Sequence, residues 1–189
     1  MTILLASGSL PRRQLLEAAR FQFRILPTHV DEGTPAGSTP KQAVSIVAER
    51  KAATARMADP AVDVIIAADT VASIDGNRLG KPADAEEANR MLWSLTGRQH
   101  EVVTALAVSC QGRTETEVVR TVVRLRRLER SEVAAYVATH EWADAAGGYR
   151  IQGQGGMLVE WIRGSYSNVV GLPMERLYGM LACNGYQVW

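Results

Sequence analysis

The run Val64-Ile65-Ile66-Ala67-Ala68 puts five apolar residues in succession and closes on Asp69. A strand with one wet face alternates apolar and polar residues, whereas an unbroken run needs cover on both faces. Helices packed on a sheet give that cover, so this segment directs the chain to the α/β class. The flanking signals agree. Ile3 to Ala6 reads as a second short buried strand, and a Ser7-Gly8-Ser9 turn leads into a helix with Pro11 in its first turn. Phe21 to Leu26 suggests a further strand. Thr39-Pro40-Lys41-Gln42 reads as a capping box opening a helix to about Ala58. Val62 to Ala68 is the apolar strand, and Asp75-Gly76 is a hairpin turn after Val71 to Ile74. Asp84 caps a helix that Gly97 stops. Long strands at His100 to Cys110 and Glu115 to Leu128 join through Gln111-Gly112. Ser131 caps another helix, the strand Met157 to Ile162 follows, and a final helix covers Met174 to Cys183. The expected architecture is a mixed twisted sheet flanked by helices, with residues 1–189 forming one domain.

Composition narrows the function classes. Twenty-one basic and twenty acidic residues leave a net charge of +1, which argues against a general nucleic-acid or membrane-surface protein. The apolar start is too short for a signal peptide, and no window is long enough to span a membrane, so a soluble, cytoplasmic protein is expected. Cys110 and Cys183 share no metal or redox spacing. The basic residues are 18 Arg and only Lys41, Lys51 and Lys81. Where lysine persists against that bias, a compact ammonium is favoured over a planar guanidinium.

Helical phase then separates candidates from bystanders. After the Ser7-Gly8-Ser9 turn, a helix N-terminus offers free N–H groups and partial positive charge, suited to phosphate. Arg12 shares a face with Leu15, Leu16 and Ala19, so it points along the buried stripe and calls for an anion. Arg13 shares its face with Glu17 and Arg20, as in a solvated pair. Lys51 falls within the stripe Val44, Val47, Ala48, Ala52 and Ala55, and its neighbours Glu49 and Arg50 point elsewhere. Asp69 ends the most apolar strand, and open α/β sheets carry their sites beyond the carboxyl ends of strands. A half-desolvated carboxylate there can hold a divalent cation or act as general base. Lys81 sits in the Gly80-Lys81-Pro82 loop. Asp31-Glu32 could supply a second acid, although exposed acidic pairs are usually solvated. The glycine-rich stretch from Gly147 to Gly156 lacks a dinucleotide fingerprint and suggests a loop whose buried glutamine reads a base edge. Arg120, Arg124 and Arg126 alternate along one strand, but nearby glutamates favour a solvated face.

These residues together resemble the Maf family. The resemblance rests on Ala6-Ser7-Gly8-Ser9 with Pro11-Arg12-Arg13-Gln14, Ala48-Glu49-Arg50-Lys51-Ala52, Ala68-Asp69-Thr70-Val71 and Gly80-Lys81-Pro82. It continues through Leu95 to His100, Ala146 to Gly153 and Gly164 to Pro173, in order along nearly the whole chain. The resemblance implies an inosine-triphosphatase-like fold and a metal-dependent nucleoside triphosphate pyrophosphatase, with magnesium as the expected ion. It implies Asp69 as proton acceptor, and Ser9, Arg12, Glu32, Lys51 and Lys81 lining the triphosphate and metal site. Glu32 and Asp69 are the implied metal ligands.

One departure is the Leu10 that interrupts the usual Ser-Pro-Arg-Arg. Without a gap Pro11 takes the first arginine's place and Arg12 the second; with a gap after Ser9, both Arg12 and Arg13 are kept. The lysine common before Ala-Gly is Ala145 here. The dTTP- and UTP-directed subfamily carries Arg, Thr and Gln at its specificity positions, which Thr70 and Gln152 match. The expected substrate is therefore dTTP or UTP rather than 7-methyl-GTP. The alternative implied by the family is a non-enzymatic regulator of septum formation that binds protein or DNA, and near-neutral charge weakens the DNA version. A homodimer is left open.

Overall fold

The computed structural model describes residues 2–186. Among these, seven strands form one mixed sheet, β1 (Ile3–Leu5), β2 (Arg24–Ile25), β3 (Val64–Ile74), β4 (Asn77–Leu79), β5 (Gln99–Cys110), β6 (Arg113–Leu125) and β7 (Val159–Arg163). Their order is β2-β1-β3-β5-β6-β7, with β4 on β3. The pairs β1·β2 and β1·β3 are parallel, and β3·β4 and β6·β7 are antiparallel. The helices are α1 (Leu10–Ala18), α2 (Pro40–Ala58), α3 (Ala85–Leu95), α4 (Arg130–Ala138), α5 (Tyr166–Val170) and α6 (Met174–Cys183). The α/β class with a mixed sheet flanked by helices is the one expected.

The chain groups into two compact units. The first comprises residues up to Asp69, Thr104–Val119, and the stretch from Gly171 onward. Its core is built from Ile3, Leu5, Leu16, Val64, Ile66, Ala68, Leu106, Leu172, Leu177 and Leu181, nearly all with no exposed surface. Alternate residues Val64, Ile66 and Ala68 face this core, while Ile65 and Ala67 are buried too. The unbroken apolar run is thus explained by cover on both faces. Thr39 caps α2 by accepting from the Gln42 amide, and the Gln42 side chain accepts from the Thr39 amide, the reciprocal box read from sequence.

The second unit comprises Thr70–Val103 and Arg120–Val170. Its core is Ile74, Ala88, Leu92, Leu95, Val123, Leu125, Val133 and Tyr136, joined by Trp142 and Tyr149. Asp84 accepts the Glu87 amide at 2.8 Å and starts α3. Asp75 and Gly76, both at positive φ, turn β3 into β4.

Four local expectations change. The strand drawn over Phe21 to Leu26 shrinks to Arg24–Ile25, because Phe21 and Phe23 pack on the first core instead. The α4 cap is Glu129 rather than Ser131, since the Glu132 carboxylate accepts the Glu129 amide at 2.8 Å. The strand drawn from Met157 begins at Val159, after a 3-10 turn over Gln154–Leu158. The long strand ends at Leu125, three residues before Leu128.

Candidate active site

Asp69 does not end its strand. It lies inside the eleven residues of β3, where burial falls from complete to partial over Asp69, Thr70 and Val71. The pairing register explains the dip. β1 accompanies β3 only as far as Leu5 opposite Ile66, and β4 joins it only from Ala72. Asp69 falls between these two pairings, just past the carboxyl end of the parallel neighbour. The crevice rule therefore applies to β1, whose end opens into the Ser7-Gly8-Ser9 turn.

α1 begins at that turn, with Ser9 as its N-cap residue but with no side-chain cap bond. Helical phase turns Arg12 inward, leaving it 9% exposed, and Arg13 outward, where Nε donates to the Glu17 carboxylate at 2.6 Å. Arg12 Nε donates to the Gly171 carbonyl at 2.8 Å and Nη1 to Ser7 Oγ at 3.1 Å. Burial lowers the Arg12 pKa from its ordinary value, opposed by the negative charges of Asp69 and Glu32. Arginine stays charged in any case, so this is a fixed cation held in place.

α2 brings the second cation. Lys51 is 8% exposed, within the buried stripe, and Nζ lies 2.8 Å from Asp69 Oδ1 and 2.8 Å from Glu32 Oε1. Glu32 comes from the loop after β2, with a side chain 61% exposed. Two carboxylates from remote segments thus converge on one ammonium beside a buried guanidinium, all within the first unit. Among the described residues, no three or more His, Cys, Asp and Glu side chains gather to hold an ion unaided. Two carboxylates at one crevice are a hard oxygen donor set of the kind that holds a divalent cation together with other oxygen ligands.

The remaining expected residues, Thr70, Lys81 and Gln152, belong to the second unit. Thr70 is half-buried on β3. Lys81 is exposed, and Nζ approaches Asp144 at 3.7 Å. Gln152, expected to be buried, is exposed in a turn. The reason lies in a residue that the sequence did not single out. Glu141 accepts from the Gln154 amide at 2.9 Å, the Gly155 amide at 2.8 Å and the Tyr136 hydroxyl at 3.2 Å. The glycine-rich loop therefore wraps an internal carboxylate. A Cβ at Gly153 would collide with that carboxylate, and one at Gly155 would meet the Arg150 carbonyl at 2.6 Å. Nearby, His100 is 2% exposed, and Nε2 lies 2.8 Å from the Tyr149 hydroxyl.

Two more residues make contacts that helical phase does not predict. Ser7 accepts from both Arg12 and the Ser9 amide. Arg50, placed by phase on the polar side of α2, donates from Nη1 to the Asp31 and Gly33 carbonyls. Helical periodicity holds no signal for either partner, because both contacts reach across turns and loops.

The sequence places the chain in a known family. A family model described as Maf-like protein matches residues 2–183. The chain belongs to the Maf family. It is 43% identical over 189 residues to the dTTP/UTP pyrophosphatase of Pelotomaculum thermopropionicum, covering 98% of each chain. It is 41% identical over 190 residues to the dTTP/UTP pyrophosphatase of Cereibacter sphaeroides, covering 100% of this chain and 98% of that protein. Against the structure of the Staphylococcus aureus Ham1 protein, the TM-score is 0.43 at 18% identity, over 65% of this chain and 70% of the other. Among the described residues, no helix is long and apolar enough to cross a membrane.

Proposed function

We propose that this chain is a nucleoside triphosphate pyrophosphatase acting on dTTP and UTP in the cytoplasm. The reading is supported by relatives of that name over essentially the whole chain. The observation that carries it is Lys51 held between Asp69 and Glu32 beside buried Arg12. Water attacks the α-phosphorus, the bond to the bridging α–β oxygen breaks, and pyrophosphate leaves with the monophosphate as second product. Lys51 fixes Asp69 Oδ1, so the second carboxylate oxygen receives the water proton. Arg12 and Lys51 offset charge on the phosphates, which is the main electrostatic requirement of phosphoryl transfer. The Ser9 hydroxyl and the N-terminus of α1 offer donors to a phosphate oxygen.

Glu32 and Asp69 would hold a divalent ion, which we take to be magnesium; when bound it supplies Lewis-acid polarisation of phosphate oxygens. Lys81 contributes a phosphate contact, Thr70 and Gln152 contact the base, and Arg13 stays outside the phosphate contacts. The test is pyrophosphate release across a panel of nucleoside triphosphates with and without magnesium. Release from dTTP and UTP, dependent on the ion, is expected. No release from any triphosphate would overturn the reading.

A further inference from the structure

Glu32 poses a physical problem. It stands in a loop with a mostly exposed side chain, yet its carboxylate must stay on Lys51 at 2.8 Å. A flexible glutamate in water would abandon an exposed ion pair readily, since such pairs contribute little and ordering the side chain costs entropy. Something must hold the backbone.

Arg50 makes the necessary contacts. One guanidinium nitrogen, Nη1, donates to the Asp31 carbonyl at 2.9 Å and to the Gly33 carbonyl at 2.6 Å. These are the carbonyls on either side of Glu32. Two carbonyls drawn to one nitrogen curl the peptide between them and fix its direction. The curl is locked from within, because the Gly33 amide donates to Asp31 Oδ1 at 2.8 Å. Gly33 leaves room for this lock, as a Cβ there would sit 2.9 Å from that oxygen. Arg50 and Lys51 are adjacent on α2, so the same helical turn that presents the ammonium also sets the loop bringing Glu32 to it.

We propose that Arg50 is a positioning residue, which holds the Asp31–Gly33 peptide so that Glu32 stays on Lys51 and in register with Asp69. This rests on the pyrophosphatase reading for its consequence in turnover, but its structural half stands independently. Arg50 touches neither substrate nor reacting atoms and acts through Glu32.

The experiment compares Arg50→Ala, Gly33→Ala, Glu32→Gln and the double variant Arg50→Ala/Glu32→Gln. In Arg50→Ala, kcat/KM for dTTP should fall about tenfold, the scale of lost charge-assisted bonds. Amide exchange at Gly33 should quicken while the α2 amides keep their protection. Gly33→Ala, which breaks the lock from the loop side, should reproduce both effects. In the Glu32→Gln background, adding Arg50→Ala should cost nothing further. An exchange rate at the residue 33 amide that stays as protected in Arg50→Ala and in Gly33→Ala as in the unmodified chain would overturn the strap whether or not the protein hydrolyses nucleotides. A tenfold loss that persists without Glu32 would overturn the route through it. If the unmodified chain releases no pyrophosphate from any triphosphate, the function reading fails, and the exchange data still decide the strap.

Discussion

The two compact units both bury neutral polar groups but differ in the charges they bury. The first buries charges: Arg12 and Lys51 are almost wholly enclosed, and Lys51 meets carboxylates from two other segments of the chain. In the second the fully buried polar groups are neutral, His100 against Tyr149 among them, and the carboxylate that gathers a loop, Glu141, is only partly buried. Charges held in partial contact with solvent can exchange partners for a ligand's phosphates. Neutral groups in a closed core have little to give a ligand, and instead fix the shape of a loop. The first arrangement suits chemistry and the second suits support. Substitutions that separate activity from stability test the difference.

The largest effect is expected at Asp69→Asn. The amide keeps the shape and can still accept from Lys51, but it cannot take a proton from water. Turnover should drop at least about 100-fold, the lower scale of general-base contributions. The melting temperature should move little. Near-normal dTTP hydrolysis by a folded variant would remove Asp69 from the chemistry and dissolve the contrast between the units.

The second unit should answer to pH through stability rather than through rate. Burial lowers the His100 pKa from 6.5 to about 4, and Nδ1 has no hydrogen-bond partner among the described residues. The unfolded chain binds a proton below pH 6.5, whereas the native imidazole resists protonation until about pH 4. Unfolded chains thus hold more protons across that window, so stability is full above it and declines as pH falls. The loss should approach about 3 kcal/mol by pH 4. Urea unfolding of the wild type and of His100→Gln between pH 4 and 7 measures this. Parallel slopes for the two proteins would show that His100 does not titrate on unfolding.

Arg12 and Arg13 sharpen the comparison within one helix. Arg12→Ala should cost about 1.5–3 kcal/mol in kcat/KM, the scale of a charge-assisted contact. Arg13→Ala removes only an exposed pair with Glu17 and should change kcat/KM by less than about 0.5 kcal/mol. A larger loss at Arg13 would mean that the outward arginine meets the substrate, as the gapped alignment would have it.

What was legible in the sequence follows from the range of each contact. Arg12 and Lys51 could be found because three- and four-residue spacing fixes a helical face without knowledge of its partner. The Thr39–Gln42 box, the Asp84 cap and the Asp75-Gly76 turn are local chemistry and equally legible, whereas the Glu129–Glu132 box that opens α4 is hidden behind Ser131, a stronger cap by residue type. Asp69 was found for its apolar setting, but its strand runs on to Ile74. Where β1 gives out beside it depends on a partner more than sixty residues away in sequence. Glu32 looked like a solvated acid, and only the family resemblance marked it. Its binding to Lys51 and the clamp by Arg50 join residues 17 to 19 apart through a loop without periodicity. Gln152 was misjudged as buried because Glu141 does the gathering, and a carboxylate flanking a glycine run leaves no periodic trace.

The smallest effect belongs to Gln152, where support and chemistry meet. Its side chain is exposed, so Gln152→Ala should leave stability within about 0.5 kcal/mol of the wild type. Its loop is nonetheless fixed, since Glu141 holds the amides of Gln154 and Gly155 and the glycines leave no space for side chains there. A primary amide offers both a donor and an acceptor, matching a pyrimidine's carbonyl oxygen and imide N–H. Losing that pairing should reduce the preference for dTTP over other triphosphates by about tenfold, the scale of one or two neutral hydrogen bonds. The change should appear in the ratio of kcat/KM values and leave the dependence on a divalent ion unaltered. If the loop merely supports the fold, Gln152→Ala will keep the same ratio across the nucleotide panel, and the base will have to be read by other groups.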